Sequence, residues 1–287
     1  MRIYVIGTRG FPGIQGGVEK HCESLYPLIA REGWRVTVFR RKPYFDSDNG
    51  SITYNNIDFK DIWTIKEKSF EAIIHSFIAA LICIVERPDI VHLHNIGPSL
   101  VLPLLKLGWL KTVVTYHSPN YEHSKWSNLA KFILKTGERF VSMFADQVIF
   151  VSKTQLDKVP CKNKTLIANG VFTPAPSDSS AYLKDIGLQP KQYILAVSRF
   201  VPEKGLHDLI EAYSSLDTPC RLVIAGDADH ETDYSRELKE SAEADDRIVL
   251  TGYITGEPLN QIYSHARLFV LPSYHEESWS GKTGQGA

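Results

Sequence analysis

Residues 193–205 read YILAVSRFVPEKG, and this stretch decides the fold. The apolar run at 193–197 predicts a short buried strand of a parallel sheet. Arg199 and Lys204 follow it on either side of a proline-containing turn, and a helical pattern begins after Gly205. Ligands of open α/β sheets bind at the carboxyl ends of the strands, and helix N-termini favour anions. The spacing therefore predicts a diphosphate-binding loop, with two solvated surface charges as the alternative.

Strand and helix patterns alternate on both sides of this stretch. Alternation of this kind predicts an α/β protein with two doubly wound, mostly parallel sheets. A Pro/Ser-rich stretch at 173–180 separates the halves and is typical of a linker. We predict an N-terminal domain at 1–171, a linker at 172–191 and a C-terminal domain at 192–287. The second domain is expected to be incomplete, because no helical pattern follows its last strand.

Strands are predicted at 3–7, 35–40, 90–93, 112–115, 147–151, 165–168, 193–198, 221–226, 247–251 and 267–271. Helices are predicted at 18–32, 69–86, 98–107, 124–145, 153–158, 205–216, 233–244 and 256–265.

The composition is that of an ordinary globular protein. The 287 residues are 43% hydrophobic and 23% charged, with a formal net charge of −1, which gives no argument for nucleic-acid binding. The four cysteines are scattered, which argues against a zinc site or a disulfide framework. No signal peptide is expected, and the apolar run at 77–85 is shorter than the roughly 20 residues that cross a bilayer. We therefore expect a cytoplasmic location.

A glycine-rich loop follows the first predicted strand. Residues 7–19 read GTRGFPGIQGGVE, and such glycines let a backbone approach a phosphate. The spacing departs from the dinucleotide fingerprint Gly-x-Gly-x-x-Gly, and Arg40, Arg41 and Lys42 stand where an acid that binds ribose is expected. A dinucleotide-dependent oxidoreductase or epimerase is therefore a weak alternative, and a flexible turn is the simplest one.

Three histidines lie at predicted strand exits. His117 follows the strand at 112–115, and a single histidine there is most often structural. We interpret His92 and His94 as facing opposite sides of their strand, so that they do not chelate one metal ion. The Asp227-Ala-Asp229 and Ser280-Gly-Lys-Thr283 patterns are interpreted as loop features without a ligand.

Several separate motifs, in order, carry a family resemblance. SRFVPEKG at 198–205, RLVIAG at 221–226, IVLTGY at 248–253 and RLFVLPSYHE at 267–276 together resemble the second half of a retaining glycosyltransferase of family 4. The resemblance extends from residue 1 to about residue 276. It implies the GT-B fold, with two Rossmann-like domains, and transfer of a sugar from a nucleotide-sugar donor to an acceptor hydroxyl with retention. The opening GTRGFPGIQGGVEKH resembles rhamnosyl- and galactosyltransferase-like members that act in bacterial surface polysaccharide synthesis.

The resemblance also implies roles for particular residues. Arg199 and Lys204 would hold the donor pyrophosphate, with Gly16 and Gly17 beside the donor phosphates. His117 would lie near the reacting sugar carbon. The first residue of a Glu-x7-Glu motif, Glu276, would contact the donor sugar. No metal ion is expected, because cationic side chains and helix ends would stabilise the diphosphate, and no cofactor is expected, since the nucleotide sugar is a substrate.

The tail departs from the family pattern. The second glutamate of the motif would stand at Gly284, and ESWSGKTGQGA at 277–287 has no apolar helical stripe. We therefore expect a truncated family member. The alternative function is a catalytically inactive remnant that binds a nucleotide or a pathway partner.

Residues 125–144 form a basic, amphipathic stretch. Four cations alternate there with apolar and aromatic side chains, a composition found in helices that lie on anionic membranes. A helix with a solvated basic face is the alternative. The membrane interpretation predicts peripheral contact with the inner face of the cytoplasmic membrane and a lipid-linked glycan acceptor.

Overall fold

The computed structural model describes residues 1–14, 16–45, 54–65, 71–118, 128–170, 174–228 and 231–274. The chain divides into two compact units, Met1–Asn169 and Gly170–Ala287. Glu276, Asp229 and the segment 280–283, all of which figure in the sequence predictions, lie outside the described residues.

The first unit contains a seven-stranded sheet whose strand pairs are all parallel. The strand order is β3-β2-β1-β4-β5-β6-β7, which is that of a doubly wound sheet. The strands are β1 (Arg2–Ile6), β2 (Arg35–Arg41), β3 (Ile57–Ile62), β4 (Ile90–His94), β5 (Thr112–Tyr116), β6 (Gln147–Phe150) and β7 (Lys164–Leu166). The helices are α1 (Gly17–Arg31), α2 (Glu71–Glu86), α3 (Leu102–Leu107), α4 (Asn128–Phe144) and α5 (Lys153–Lys158).

Apolar residues cover both faces of this sheet. Along β1, Ile3 and Val5 point into a core that α1 completes, whereas Tyr4 and Ile6 point into a core built with α2, α3 and α4. Side chains that alternate along a strand face opposite sides, so a strand buried on both faces reads as a continuous apolar run. The helices thereby fix where the carboxyl ends of β1, β4 and β5 lie, and those ends carry the candidate site.

The second unit contains four parallel strands in the order β10-β9-β8-β11. They are β8 (Tyr193–Val197), β9 (Arg221–Ala225), β10 (Ile248–Gly252) and β11 (Leu268–Phe269). Its helices are α6 (Ala181–Asp185), α7 (Leu206–Ser214), α8 (Asp233–Glu243) and α9 (Gly256–Ser264). One core lies under α7 and α8, and a second lies under α6 and α9.

The alternation predicted from the sequence is confirmed, with three local differences. Strand β3 and helix α6 were not predicted, and the predicted helix at 98–107 begins with a 3-10 turn at Pro98–Val101. Helix α6 lies inside the segment assigned to the linker, where the backbone N–H of Tyr182 donates to Gln261 Oε1 at 2.9 Å. The domain boundaries stay a prediction. None of the helices in the described ranges has the length and hydropathy needed to cross a bilayer.

Candidate active site

The loop after β8 carries the two predicted diphosphate ligands. Arg199 is exposed, and Lys204 is half-buried at the end of a 3-10 turn, Pro202–Lys204. The loop is anchored by its backbone, because the N–H of Phe200 donates to the carbonyl of Asp227 at 3.1 Å. Both cations thus lie in the segment that joins the carboxyl end of β8 to the start of α7, as the sequence predicted.

Gly205 ends this loop at a position that only glycine fits. Its φ of +61° is left-handed, and a Cβ there would lie 2.3 Å from the carbonyl oxygen of Pro272. The backbone N–H of Tyr274 also donates to the carbonyl of Glu203 at 3.1 Å. The chain after β11 therefore packs directly against the loop and fixes the entry into α7.

Asp227 follows β9 at the same edge of the sheet. Its carboxylate accepts from Lys239 Nζ at 2.9 Å and from the backbone N–H of Ala228 at 2.8 Å. The hydrogen bond from Lys239 is the main reason why the pKa of Asp227 is lowered. A carboxylate with these partners fits the loop role predicted for it.

In the first unit, Gly16 and Gly17 form the start of α1. Gly16 has φ of +155°, and a Cβ there would lie 2.0 Å from Glu19 Oε2. Glu19 is buried and pairs with Arg9, with Nε of Arg9 at 3.2 Å from Oε1. Among the described residues, no side chain caps the N-terminus of α1.

The two arginines at the carboxyl end of β2 have structural partners. Arg40 is 4% exposed and donates to both carboxylate oxygens of Asp61, at 2.6 and 2.8 Å. Arg41 pairs with Glu71 at 3.3 Å. These contacts explain why two cations occupy the position where a dinucleotide site would place an acid.

His117 ends a chain of buried hydrogen bonds that begins at Thr115. Oγ1 of Thr115 lies 2.8 Å from His92 Nε2, and Nδ1 of His92 lies 2.9 Å from the Tyr26 hydroxyl. The same hydroxyl lies 2.6 Å from His94 Nε2, and Nδ1 of His94 lies 2.9 Å from His117 Nε2. We call these five residues the histidine relay.

The interpretation that His92 and His94 face opposite sides of β4 is wrong. Their rings stack with centroids 4.6 Å apart and an interplanar angle of 29°, and both contact Tyr26. The physical reason is simple, because alternation places neighbours on opposite faces and residues two apart on the same face.

Burial keeps the relay imidazoles neutral. It lowers the pKa of His92 and of His117 to about 3, and it lowers the pKa of His94 well below the ordinary value. The imidazolium form loses hydration in this environment, and neighbouring histidines oppose its charge as well. His117 is therefore available as a neutral hydrogen-bond donor or acceptor rather than as a cation.

Comparison with known proteins identifies the family. A sequence profile described as Glycosyltransferase Family 4 matches residues 15–173, which is more than half of the chain, and one described as Glycosyl transferases group 1 matches residues 180–280. The chain belongs to glycosyltransferase family 4. It is thus a transferase, and the family resemblance seen in the sequence is confirmed.

Individual relatives and structures agree with this assignment. An uncharacterized glycosyltransferase of Methanocaldococcus jannaschii is 26% identical over 96% of this chain and 75% of its own length. The serotype-specific mannosyltransferase WbdA of Escherichia coli is 26% identical over 66% of this chain but only 26% of its own length. The structure of Anabaena HepE in complex with UDP-glucose matches with a TM-score of 0.72 at 18% identity, over 96% of this chain and 74% of that chain. This likeness confirms the GT-B fold.

Two residues beside His117 in the candidate site were not predicted from the sequence. His21 lies on α1, one turn after Gly17, and its ring is 4.9 Å from that of His117 between centroids. Tyr26, on the same helix, links His92 to His94. Residues three or four apart share a helix face, whereas His21 and Tyr26 are five apart, so helical spacing gave no signal that the two belong together. The first unit thus brings Gly16, Gly17 and His117 to one sheet edge, with α1 connecting them.

Proposed function

We propose that this glycosyltransferase moves a sugar from a nucleoside-diphosphate sugar to an acceptor hydroxyl, with retention of the anomeric configuration. The observation that carries the proposal is the β8–α7 loop, which sets Arg199 and Lys204 at the carboxyl edge of a parallel sheet. A diphosphate suits this position because it presents two to three negative charges to two cations and a helix N-terminus.

The departing diphosphate gains charge as the glycosidic bond of the donor breaks. Arg199 and Lys204 stabilise that charge, which is the electrostatic contribution that lowers the barrier. The N–H groups of Gly16 and Gly17, which open α1, donate to the donor phosphates. In this scheme the cations and helix ends stabilise the leaving group, so the proposed transfer step includes no cofactor.

His117 has a different task from the cations. As a neutral imidazole held by His94, it orients the reacting sugar through a hydrogen bond, and Glu276 holds the hydroxyls of the donor sugar. A front-face transfer, in which the acceptor attacks on the side that the diphosphate leaves, retains configuration without a protein nucleophile. These roles rest on the family resemblance together with the position of His117 at the exit of β5.

The comparisons support a class of donor and of pathway. HepE was crystallised with UDP-glucose, which favours a nucleoside-diphosphate hexose. WbdA is a serotype-specific mannosyltransferase, which favours a glycan acceptor in surface polysaccharide synthesis. We place this glycosyltransferase in that class of reaction.

Calorimetric titration with UDP and with GDP tests the donor site. We expect saturable binding that Arg199→Ala weakens by about tenfold to a hundredfold, the equivalent of one charged hydrogen bond. Arg267→Ala is the matched control, because Arg267 is exposed at the opposite end of the sheet, immediately before β11. Unchanged affinity in Arg199→Ala, or an equal loss in Arg267→Ala, would remove the diphosphate assignment.

Product analysis distinguishes sugar transfer from the alternative function, which is nucleotide binding without catalysis. Incubation with nucleotide sugars and a glycan acceptor should give a product whose anomeric proton coupling matches that of the donor. An inactive remnant would bind UDP or GDP and form no product with any donor. An inverted product would disprove retention while leaving the donor site intact.

We also propose that α4 contacts an anionic membrane surface. Its exposed side includes Leu129, Phe132 and Met143, which are 68%, 66% and 71% exposed, together with the exposed cations Lys135 and Arg139. Apolar and basic groups on one helix face suit the boundary between headgroups and acyl chains. Such a position would bring the enzyme to a lipid-linked acceptor.

Vesicle sedimentation tests the membrane contact. Binding should need phosphatidylglycerol or another anionic lipid and should fall several-fold in Phe132→Ser. Trp63→Ser is the control, since Trp63 is 61% exposed in the segment after β3. Binding that does not depend on anionic lipid, or that both variants weaken equally, would refute the proposal.

A further inference from the structure

Three histidines of the first unit converge from three different elements. His21 lies on α1, His94 ends β4 and His117 follows β5 directly. One ring nitrogen from each lies within 4.8 Å of the other two. We propose that His21, His94 and His117 form a binding site for a divalent transition-metal ion of the zinc type. The metal site is inferred independently of the proposed transfer reaction, although the two share His117.

The distances suit such an ion. Zinc binds imidazole nitrogens at about 2.0–2.1 Å in tetrahedral geometry, which places the nitrogens roughly 3.3 Å from one another. The nitrogens Nδ1 of His94 and Nε2 of His117 are 2.9 Å apart, already slightly closer than that. Movements of about 1 Å or less per ring would therefore bring all three nitrogens to coordination distance.

His21 supplies the second observation. Its Nε2 is buried and forms no well-aligned hydrogen bond with any of the described residues, although the side chain of Asn169 approaches the ring. A polar atom that is buried without a partner destabilises the folded state unless something binds it. A metal ion between the three rings would satisfy this nitrogen, since a neutral imidazole nitrogen is a common metal ligand.

The histidine relay orients the ligand at its centre. If Nδ1 of His94 binds the ion, its Nε2 carries the proton and donates to Tyr26, 2.6 Å away. The Tyr26 hydroxyl then donates to His92 Nδ1, and His92 Nε2 donates to Thr115 Oγ1. With the protons placed in this way, each of these three hydrogen bonds has one donor and one acceptor. Metal-binding histidines usually have such a partner on the other ring nitrogen, which fixes tautomer and orientation.

The set of ligands indicates the kind of ion. Three imidazoles suit zinc, cobalt, nickel or copper and do not suit magnesium or calcium, which prefer oxygen. Three protein ligands leave the fourth tetrahedral position for water or an anionic oxygen. No metal site was predicted from the sequence, because none of its patterns places His21 beside His94 and His117.

Titration of the untagged, chelator-treated full chain with ZnCl2 and CoCl2 tests the site. We expect one ion per chain by calorimetry and visible cobalt absorption of the tetrahedral type. His21→Gln should weaken zinc binding at least about tenfold. His207→Gln is the matched control, because His207 is an exposed histidine at the start of α7.

The outcomes are distinct. Stoichiometric binding that His21→Gln weakens and His207→Gln preserves supports the site. Absence of saturable binding up to millimolar zinc overturns it, and so does unchanged affinity in His21→Gln. If His21→Gln melts at a lower temperature than the parent chain, His117→Asn provides the second variant, and unchanged zinc affinity in a normally folded His117→Asn chain also overturns the site.

Discussion

Tyr26→Phe removes one oxygen from the centre of the histidine relay. The hydroxyl is fully buried and lies 2.9 Å from His92 Nδ1 and 2.6 Å from His94 Nε2. Its loss leaves one buried ring donor and one buried ring acceptor unpaired. Each costs about 1–3 kcal/mol, so the free energy of unfolding should fall by about 2–6 kcal/mol at pH 7.

Urea denaturation, followed by tryptophan fluorescence, measures this change. Tyr253→Phe is the control, because Tyr253 is 56% exposed and loses a hydroxyl that water can reach; it should change stability by less than about 0.5 kcal/mol. A double variant, Tyr26→Phe with His92→Leu, should lose less than the sum of the single changes, since both partners of one hydrogen bond are then absent. Additive losses, or a Tyr26→Phe loss as small as that of the control, would refute the relay.

Three further predictions concern stability. Burial lowers the pKa of His75 from 6.5 to about 4, so between these pH values the unfolded chain binds a proton that the folded chain does not. The free energy of unfolding should therefore fall as the pH drops from 6.5 towards 4. Urea denaturation at pH 7 and at pH 4.5 should show that His75→Leu removes about 2–3 kcal/mol of this fall. Gly205→Ala should destabilise the second unit by about 1–3 kcal/mol and weaken UDP binding, because the left-handed φ and the Pro272 carbonyl oppose a Cβ; a calorimetric titration unchanged from the parent would contradict this. Gly137→Ala places a Cβ 2.1 Å from the Ile96 carbonyl and should lower the melting temperature of the first unit by several degrees through overpacking; an unchanged melt would show that α4 adjusts freely.

The sequence predicted the elements that are buried on two faces. Strands β1 and β8 are continuous apolar runs, which periodicity reads well. Strand β3 was missed because IDFKDI is an edge strand rich in charge. Its two carboxylates, Asp58 and Asp61, pair with arginines of the neighbouring β2, and the local sequence pattern does not predict such a pairing. Helix α6 was missed because it is five residues long and follows a Pro/Ser-rich stretch.

The site was predictable where one segment carries it. Arg199, Lys204 and Gly205 stand within seven residues of sequence, and the strand–loop–helix pattern places them at the sheet edge. The group of His21, His94 and His117 was not predictable in this way, since the three residues lie on α1, at the end of β4 and directly after β5. Only tertiary packing brings His21 to His117, and sequence spacing contains no distance between separate elements.

Two main-chain hydrogen bonds anchor the β8–α7 loop. The N–H of Phe200 holds it to the segment after β9, and the N–H of Tyr274 holds it to the segment after β11. Backbone groups are the same in every residue except proline, so the side chains at 199 and 204 can be exchanged while these anchors persist. Evolution can therefore change the charge that this loop presents while its main-chain hydrogen bonds, and with them its conformation, are kept.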